Sequence, residues 1–308
     1  MADLNLEFKE KFLERYKQLT DIDQFLEYSQ TFLRRSIRVN TLKISVEELK
    51  ARLKDWNLKQ IPWCKEGFWI EHKRKERRDI GNLIEHTLGY FYVQEAASML
   101  PPLALNPKKN SIVLDSCACP GSKTTQLASI MDNTGIIVAN DDSFSRLSAL
   151  NVNLQKSGVL NTIVTLGKAE RFKNVNFDYI LLDAPCSGTG VIRKSPRTAL
   201  TWNPNTVKKI AGTQKYMIMN LFEKLKKGGT MVYSTCSLEP DEDEAVIDFL
   251  VNRFDNAKIE DIKLDIKRSK PIMEFEGKTF HKDVSKCLRI WPQDNDTEGF
   301  FVCKIKKI

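Results

Sequence analysis

The sequence predicts an α/β protein in which a small α+β domain precedes an open, doubly wound sheet. Downstream of Pro101-Pro102 and Asn106-Pro107, short apolar segments rich in β-branched residues alternate with segments of helical periodicity. This alternation is typical of buried parallel strands that are joined by right-handed helical crossovers. We therefore expect an N-terminal α+β domain over 1–105 and the sheet domain over 106–308.

The elements of the first domain are expected in a mixed order. Two amphipathic helices over about 5–19 and 22–33 come first. They are followed by a short strand at 37–41, a helix around 45–55 and a strand at 67–70.

The second domain is expected to have five central strands. The apolar segments that predict them are 112–114, 135–139, 162–165, 179–182 and 230–233. Helical spacing predicts helices at 144–156 and 207–227, and we expect Gly228-Gly229 to end the second one. Near the C-terminus, 288–292 and 299–304 are predicted to form a closing pair of strands.

The composition limits the class of protein. The 308 residues are 42% hydrophobic and 29% charged. No apolar segment reaches the roughly 18 residues of a membrane span, and the first residues do not resemble a signal peptide. Seven cysteines without regular spacing favour free thiols in a reducing compartment, so we expect a cytoplasmic protein.

The charge is compatible with a nucleic acid as partner. The formal net charge is +8, which suits phosphate binding but also fits a basic enzyme with another substrate. The clustering of the basic residues favours a polyanion. The clusters are Arg34-Arg35 with Arg38, the run 72–78, Arg193-Lys194 with Arg197, and Lys224 with Lys226-Lys227.

Two cysteines follow predicted strands and are candidates for covalent chemistry. Cys186 ends the segment Asp183-Ala-Pro-Cys, and Cys236 lies in Tyr233-Ser-Thr-Cys-Ser. A thiol at the end of a strand can act as a nucleophile. The acidic segment 239–244 after Cys236 is interpreted as structural, since acids suit the first turn of a helix.

The first βα turn predicts a nucleotide-like cofactor. The segment 114–126 follows the first central strand and contains Gly121, where the backbone can approach a ligand closely. It has neither the dinucleotide fingerprint nor the spacing of a P-loop. Asp141 follows the second strand and can accept hydrogen bonds from a ribose. An adenosine ligand without pyrophosphate fits these features, and S-adenosylmethionine is such a ligand. No metal is expected.

These motifs resemble those of the Nop/Sun family of RNA cytosine-5 methyltransferases. The segments 183–196 and 233–237 are similar to the fourth and sixth motifs of that family, and 120–126 resembles the first motif of members that act on tRNA. The segments 38–43, 92–99 and 299–301 match as well. The resemblance covers residues from about 36 to the C-terminus and leaves the first 35 outside.

The resemblance implies a seven-stranded Rossmann-like methyltransferase sheet and an RNA-binding N-terminal domain. It makes Cys236 the nucleophile that attacks position 6 of cytosine and Cys186 the thiol that assists proton removal and product release. Asp183 and Lys123 would hold the base. The residues implied at the cofactor are Cys117, Ala118, Cys119, Pro120, Gly121, Ser122, Lys123, Asp141, Lys168 and Asp183.

One position departs from the family. Lys168 stands where an acid usually binds the adenine amino group, and a lysine cannot accept that hydrogen bond. Glu170 is the alternative if the loop shifts by two residues.

The expected partner is RNA, with tRNA favoured, and a protein partner is possible but not required. The target cytosine has to be unstacked to reach the thiols. Phe91, Tyr92 and Trp202 are candidates for stacking against bases. Alternatives are the same reaction on ribosomal RNA and a catalytically silent RNA-binding scaffold. DNA methylation and nicotinamide chemistry are disfavoured by the Thr-Cys-Ser motif and the missing glycine fingerprint.

Overall fold

The computed structural model describes residues 8–74, 79–172 and 175–308. The start of the first expected helix and most of the basic run 72–78 therefore lie outside the described residues. The elements up to residue 105 are α1 (Glu10–Tyr16), α2 (Ile22–Gln30), β1 (Ser36–Val39), α3 (Val46–Arg52), β2 (Trp56–Ile61), β3 (Cys64–His72), α4 (Ile84–Thr87), β4 (Phe91–Val93) and α5 (Leu100–Leu105).

The N-terminal strands form a small antiparallel sheet of their own. Its order is β2-β3-β1-β4, and residues such as Ile37, Phe68 and Phe91 pack in its core. The helix α3 begins at a capping box in which Ser45 and Glu48 bond each other's backbone amides. Together with α3 and α4, the sheet makes the α+β unit that the sequence predicts.

The remaining chain forms the large sheet and its helices. The strands are β5 (Ile112–Asp115), β6 (Ile136–Asp141), β7 (Thr162–Leu166), β8 (Phe177–Asp183), β9 (Leu225–Thr235), β10 (Ala257–Glu260), β11 (Glu274–Phe275), β12 (Lys278–Thr279), β13 (Leu288–Ile290) and β14 (Phe300–Lys307). The helices are α6 (Ser122–Ile130), α7 (Phe144–Ser157), α8 (Arg197–Thr201), α9 (Pro204–Glu223), α10 (Glu244–Arg253) and α11 (Pro292–Asn295).

The large sheet is doubly wound as expected, but it has eight strands instead of the seven that the family resemblance implies. Its order is β10-β14-β9-β8-β5-β6-β7, with β5 to β9 parallel and β14 antiparallel to β9. The strand β13 pairs with β14 beside β10, so the predicted closing pair is present. The strand order reverses at β5, between β6 and β8, and ligands bind at such a switch point, outside the carboxyl ends of the strands.

The end of α9 differs from the prediction. The helix stops at Glu223, and Leu225 already pairs with Phe177 of β8. Gly228, with φ of +76°, lies in an irregular stretch within β9 instead of capping the helix. Sheet pairing of Leu225, two residues after the end of the helix, therefore overrides the stop signal of the glycine pair.

The first two helices pack on the large-sheet part of the chain. Phe12, Tyr16 and Phe25 form an aromatic cluster with Trp202 and Trp291. The helix α5 likewise packs against β8, β9 and β14. Both contacts join the N-terminal region to the sheet that carries the two cysteine motifs.

Candidate active site

The two strand-end cysteines meet. The strands β8 and β9 are parallel neighbours, with Asp183 opposite Ser234, so the loops that follow them lie side by side. The Sγ atoms of Cys186 and Cys236 are 3.0 Å apart, and both residues are half-buried. The pair is therefore within reach of a base that enters from the carboxyl end of the sheet.

A part-buried ion pair lies beside the thiols. Lys123 Nζ is 2.7 Å from Asp183 Oδ2 and 3.2 Å from the Ser98 hydroxyl oxygen. The Ser234 hydroxyl donates to Asp183 Oδ1 at 2.7 Å. Burial by itself lowers the pKa of Lys123, but the charge of Asp183 outweighs it and the net pKa is raised. Lys123 is thus a fixed cation next to a fixed carboxylate.

The loop after β5 has the shape of a ligand cradle. The Ala118 amide donates to the Asn140 carbonyl at 2.8 Å, which ties the loop to the end of β6. Gly121, with φ of +106°, begins α6, and a Cβ there would lie 3.0 Å from Leu150 Cδ1. The loop therefore needs glycine for its conformation as well as for space.

Asp141 is the acid of this cradle. Its carboxylate accepts hydrogen bonds from the Cys119 amide at 3.2 Å and the Ser143 amide at 3.1 Å. Arg146 pairs with it at 2.7 Å, and the side chain of Arg146 is half exposed. A ribose hydroxyl can compete for such a carboxylate, so Asp141 fits the predicted ribose contact.

The two loop thiols are suited to lining the site rather than to attack. Burial is the main cause that raises the pKa of Cys117 above its ordinary value and that of Cys119 to about 12. Both therefore remain neutral at physiological pH. Pro120 is exposed and Ser122 is half-buried on the same loop. Within the described ranges, no three potential metal ligands lie close enough together to hold an ion.

Asp115 is a site residue that the sequence reasoning missed. It is fully buried, and Thr124 donates to its Oδ2 at 2.7 Å. Its Oδ1 has no hydrogen-bond partner among the described residues. Burial raises the pKa of this carboxyl to about 7. An orphaned acceptor at the end of β5 fits a ligand that carries a hydrogen-bond donor, such as the ammonium group of S-adenosylmethionine.

Lys168 does not join the other site residues through its side chain. The neighbouring Gly167 is bonded to Asn140 and Asp141, which places the loop beside the cradle. The Lys168 side chain is exposed and has no hydrogen bond or ion pair with a described residue. Glu170 is half-buried two positions further on.

A pair of acids near Lys123, namely Glu95 and the buried Glu298, was also missed. The Glu95 carboxylate accepts hydrogen bonds from the amides of Ala97, Ser98 and Glu298. Burial, and then the charge of Glu298, raises the pKa of Glu95 to about 8. Glu95 and Glu298 lie on different loops that are far apart in the sequence. No local pattern of charged residues therefore indicates that they are neighbours.

Burial excludes two of the three candidate stacking residues. Phe91 and Trp202 are buried in cores and cannot stack against a base; the indole of Trp202 donates to Glu239 at 2.8 Å. Tyr92 is half-buried and remains a candidate. The cluster at Lys224 lies at the amino end of β9, where Lys226 pairs with Asp178 at 2.7 Å. Ten residues of strand separate Lys226 from Cys236, which corresponds to roughly 33 Å.

The acidic segment after Cys236 is engaged in hydrogen bonds. Glu239 accepts from Arg15, Tyr16 and Trp202, whereas Asp243 and Glu244 pair with the fully buried Arg289. Only Glu244 lies in the first turn of α10. These contacts agree with a structural interpretation, although tertiary contacts rather than the helix dipole account for most of them.

Comparisons with known proteins agree with this geometry. The family model described as 16S rRNA methyltransferase RsmB/F matches residues 102–306, and that of the N-terminal domain of 16S rRNA methyltransferase RsmF matches residues 4–96. The matches define the class of protein, an S-adenosylmethionine-dependent RNA methyltransferase. The chain belongs to the RsmB/F family, also called the Nop/Sun family.

Relatives and solved structures support the assignment. A tRNA (cytosine(49)-C(5))-methyltransferase of Pyrococcus abyssi is 45% identical, with 99% of each chain covered. The ribosomal RNA small subunit methyltransferase F of Pectobacterium carotovorum is 42% identical, and the match spans 99% of this chain but 63% of that protein. The crystal structure of a methyltransferase homolog from Pyrococcus horikoshii is 38% identical, with a TM-score of 0.88 over 99% of this chain and 97% of that one.

These findings confirm the expected family, fold, enzyme class and cofactor. They correct one prediction, because the family resemblance includes residues 4–35 and not only those from about 36 onward. Among the described residues, no helix has the length and apolar character needed to span a membrane.

Proposed function

We propose that this protein transfers a methyl group from S-adenosylmethionine to carbon 5 of a cytosine in tRNA. The observation that carries the proposal is the pair of thiols 3.0 Å apart beside the Lys123–Asp183 ion pair. A single strand-end thiol would be compatible with many functions. Two thiols next to a fixed cation and carboxylate suit a reaction that first adds a thiolate to a ring and later removes it.

In the proposed reaction, the Cys236 thiolate adds to carbon 6 of cytosine. A sulfur–carbon bond forms, and the electron pair of the 5,6 double bond moves to carbon 5, which becomes nucleophilic. The cofactor supplies the methyl group that carbon 5 accepts. The proton on carbon 5 is then removed with the help of Cys186, and the sulfur–carbon bond breaks as the double bond returns.

Asp183 and Lys123 are proposed to hold the base during these steps. Asp183 accepts hydrogen bonds from the amino group and the protonated ring nitrogen of cytosine, which stabilises the adduct. Lys123 pairs with Asp183 and, as a cation, favours a thiolate nearby. In the cradle, Asp141 would hold the ribose of the cofactor and Asp115 its ammonium group, with Cys117 to Ser122 as the lining.

Residues 1–105 are proposed to bind the RNA, and residues 106–308 to carry out methyl transfer. Exposed cations lie just before β1, at the start of α8 and in the turn before α8, namely Arg35, Arg197 and Lys194. They can contact phosphates around an unstacked cytosine. The cytoplasmic location remains a prediction.

Ribosomal RNA is the second candidate substrate, because several relatives carry the name ribosomal RNA small subunit methyltransferase F. A side-by-side assay with tRNA and 16S rRNA transcripts, followed by bisulfite sequencing, decides between them. A catalytically silent scaffold is the third candidate. If the chain fails to bind S-adenosylmethionine at millimolar concentration in isothermal titration, the scaffold is favoured.

Cysteine variants test the mechanism. With labelled S-adenosylmethionine and tRNA, Cys236→Ala should show no methyl transfer, and Cys186→Ala should accumulate an RNA–protein adduct that survives denaturing electrophoresis. Cys287→Ala, which alters a buried thiol outside the site, is the matched control and should remain active. An active Cys236→Ala together with an inactive, adduct-free Cys186→Ala would reverse the two roles.

A further inference from the structure

The two neighbouring thiols have the same chemistry, yet the proposed reaction needs them to behave differently. Only a thiolate is a good nucleophile. At a separation of 3.0 Å, Cys186 and Cys236 will not both be ionised readily. The charges on either side of the pair decide which one keeps its proton.

On the side of Cys186 lies a clamp made by two buried residues. The Ser187 amide donates to Glu242 Oε2 at 2.9 Å, and Gln214 Nε2 donates to the Pro185 carbonyl at 2.9 Å. Gln214 Nε2 also donates to Glu242 Oε2 at 3.1 Å. The residues immediately before and after Cys186 are thus both held, and the Cys186 loop is fixed relative to the loop that follows Cys236.

Glu242 carries a charge in the range in which thiols react. Both Glu242 and Gln214 are fully buried, and Glu242 Oε1 has no partner among the described residues. The Tyr233 hydroxyl donates to the Glu242 carbonyl at 2.6 Å, so the backbone of Glu242 is fixed as well. Burial raises the pKa of the Glu242 carboxyl to about 7. It is therefore ionised as the pH rises toward the range in which cysteines titrate.

The side of Cys236 is different. Lys123 lies within electrostatic reach of the Cys236 sulfur and is the cation that faces the pair. The anions near Cys186 are Glu242 and Asp183. The pKa of Cys186 is raised well above its ordinary value, first by its hydrogen bond to Cys236, then by burial and by these negative charges.

We propose that Glu242 is the positioning residue that makes the two thiols unequal. It holds the Cys186 loop through Ser187 and Gln214, and its negative charge keeps the shared proton on Cys186. Cys236, beside Lys123, is then the thiolate, and the S–H group of Cys186 donates to it. The inference rests on the proposed function for its meaning in catalysis, but the inequality itself is a property of the protein without RNA or cofactor.

Alkylation tests the inference directly. Wild type, Glu242→Gln, Asp241→Asn and Gln214→Leu are treated briefly with iodoacetamide between pH 6.5 and 9.5, and the label on each cysteine is quantified by mass spectrometry. In wild type at pH 8, Cys236 should react much faster than Cys186. E242Q removes the charge but keeps an acceptor for Ser187, so Cys186 should react about tenfold faster, the change that one pKa unit produces.

The other two variants separate charge from packing. D241N makes the same charge change one residue away, at a side chain that pairs with Arg15, and should leave the labelling ratio unchanged. Q214L releases Pro185 but keeps the Glu242 charge, so Cys186 should stay slow. If Q214L accelerates Cys186 as much as E242Q does, or if E242Q changes nothing, the electrostatic role of Glu242 is wrong.

A second measurement tests the inference even if E242Q does not fold. In Cys236→Ser, the pH profile of Cys186 alkylation should have its midpoint above the roughly 8.5 of a free thiol; a midpoint at or below that value overturns the inference. Since no RNA is present, the result is independent of the proposed reaction. Absence of methyl transfer by wild type would refute the proposed function and leave the labelling result standing.

Discussion

Replacing Asp115 with asparagine removes a charge that the fold buries at the end of β5. The side chain is fully buried, and burial raises the pKa of its carboxyl from 3.8 to about 7. This difference corresponds to a loss of roughly 4 kcal/mol of folding stability at a pH above both values. A raised pKa means that the contribution is present below pH 3.8 and is lost as the pH rises to about 7.

We therefore expect D115N to be more stable than wild type at pH 8 by about 2–4 kcal/mol, and nearly equal to it at pH 4. Asparagine has the same size and can still accept the hydrogen bond from Thr124. Urea unfolding followed by tryptophan fluorescence at several pH values measures the difference, and the other titrating groups cancel between the two proteins.

The control is Asp178→Asn, for which the expected change in stability at neutral pH has the opposite sign. Asp178 is part-exposed; burial works against its charged form, but bonds to Lys226 and Ile112 lower its pKa overall. Its contribution is therefore present above its ordinary pKa and lost in acid, so D178N should lose stability relative to wild type at neutral pH. If D115N is less stable than wild type at pH 8, or if the difference does not vary with pH, burial of a costly charge at Asp115 is refuted.

The same D115N protein should bind S-adenosylmethionine more weakly in isothermal titration.

Two further predictions concern the acidic loop and the adenine end of the cofactor site. Arg289→Met leaves Asp243 and Glu244 buried without their cation and should lower the free energy of unfolding by about 3–5 kcal/mol in urea; a loss below about 1 kcal/mol would contradict a buried ion-pair role. Lys168→Asp provides an acceptor for the adenine amino group and should tighten S-adenosylmethionine binding about three- to tenfold in titration, the effect of one hydrogen bond. If K168D has no effect and Glu170→Ala weakens binding, Glu170 is the adenine contact instead.

The sequence is sufficient to predict the sheet and the meeting of the two thiols. Apolar segments of β-branched residues predict buried strands, and the carboxyl ends of adjacent parallel strands necessarily meet. The proximity of the loops that carry Cys186 and Cys236 is then a consequence of the strand order. The role of Gly121 in the cofactor loop could also be predicted from the sequence, because it depends only on the local backbone conformation.

Residues that act through long-range contacts could not be predicted in the same way. Trp202 has a large aromatic side chain that could stack against a base. Only the packing of α1 against it shows that it is buried. Glu242 lies in a run of acids whose members look alike in sequence. The partners that distinguish these acids come from α9, β13 and α1, which lie far apart along the chain. The contacts with Cys186, Arg289 and Tyr16 therefore could not be assigned to particular acids from the sequence.

The contact between α1 and the loop after Cys236 has a consequence for the order of folding. Arg15 and Glu239, joined by a hydrogen bond of 2.7 Å, are 224 positions apart in the sequence. Contacts across such separations tend to form late, because the intervening chain has to be ordered first. We expect the parallel sheet to assemble before the thiol loops reach their final arrangement. On refolding from urea, the recovery of strand signal in circular dichroism should therefore precede the recovery of the fast-reacting Cys236.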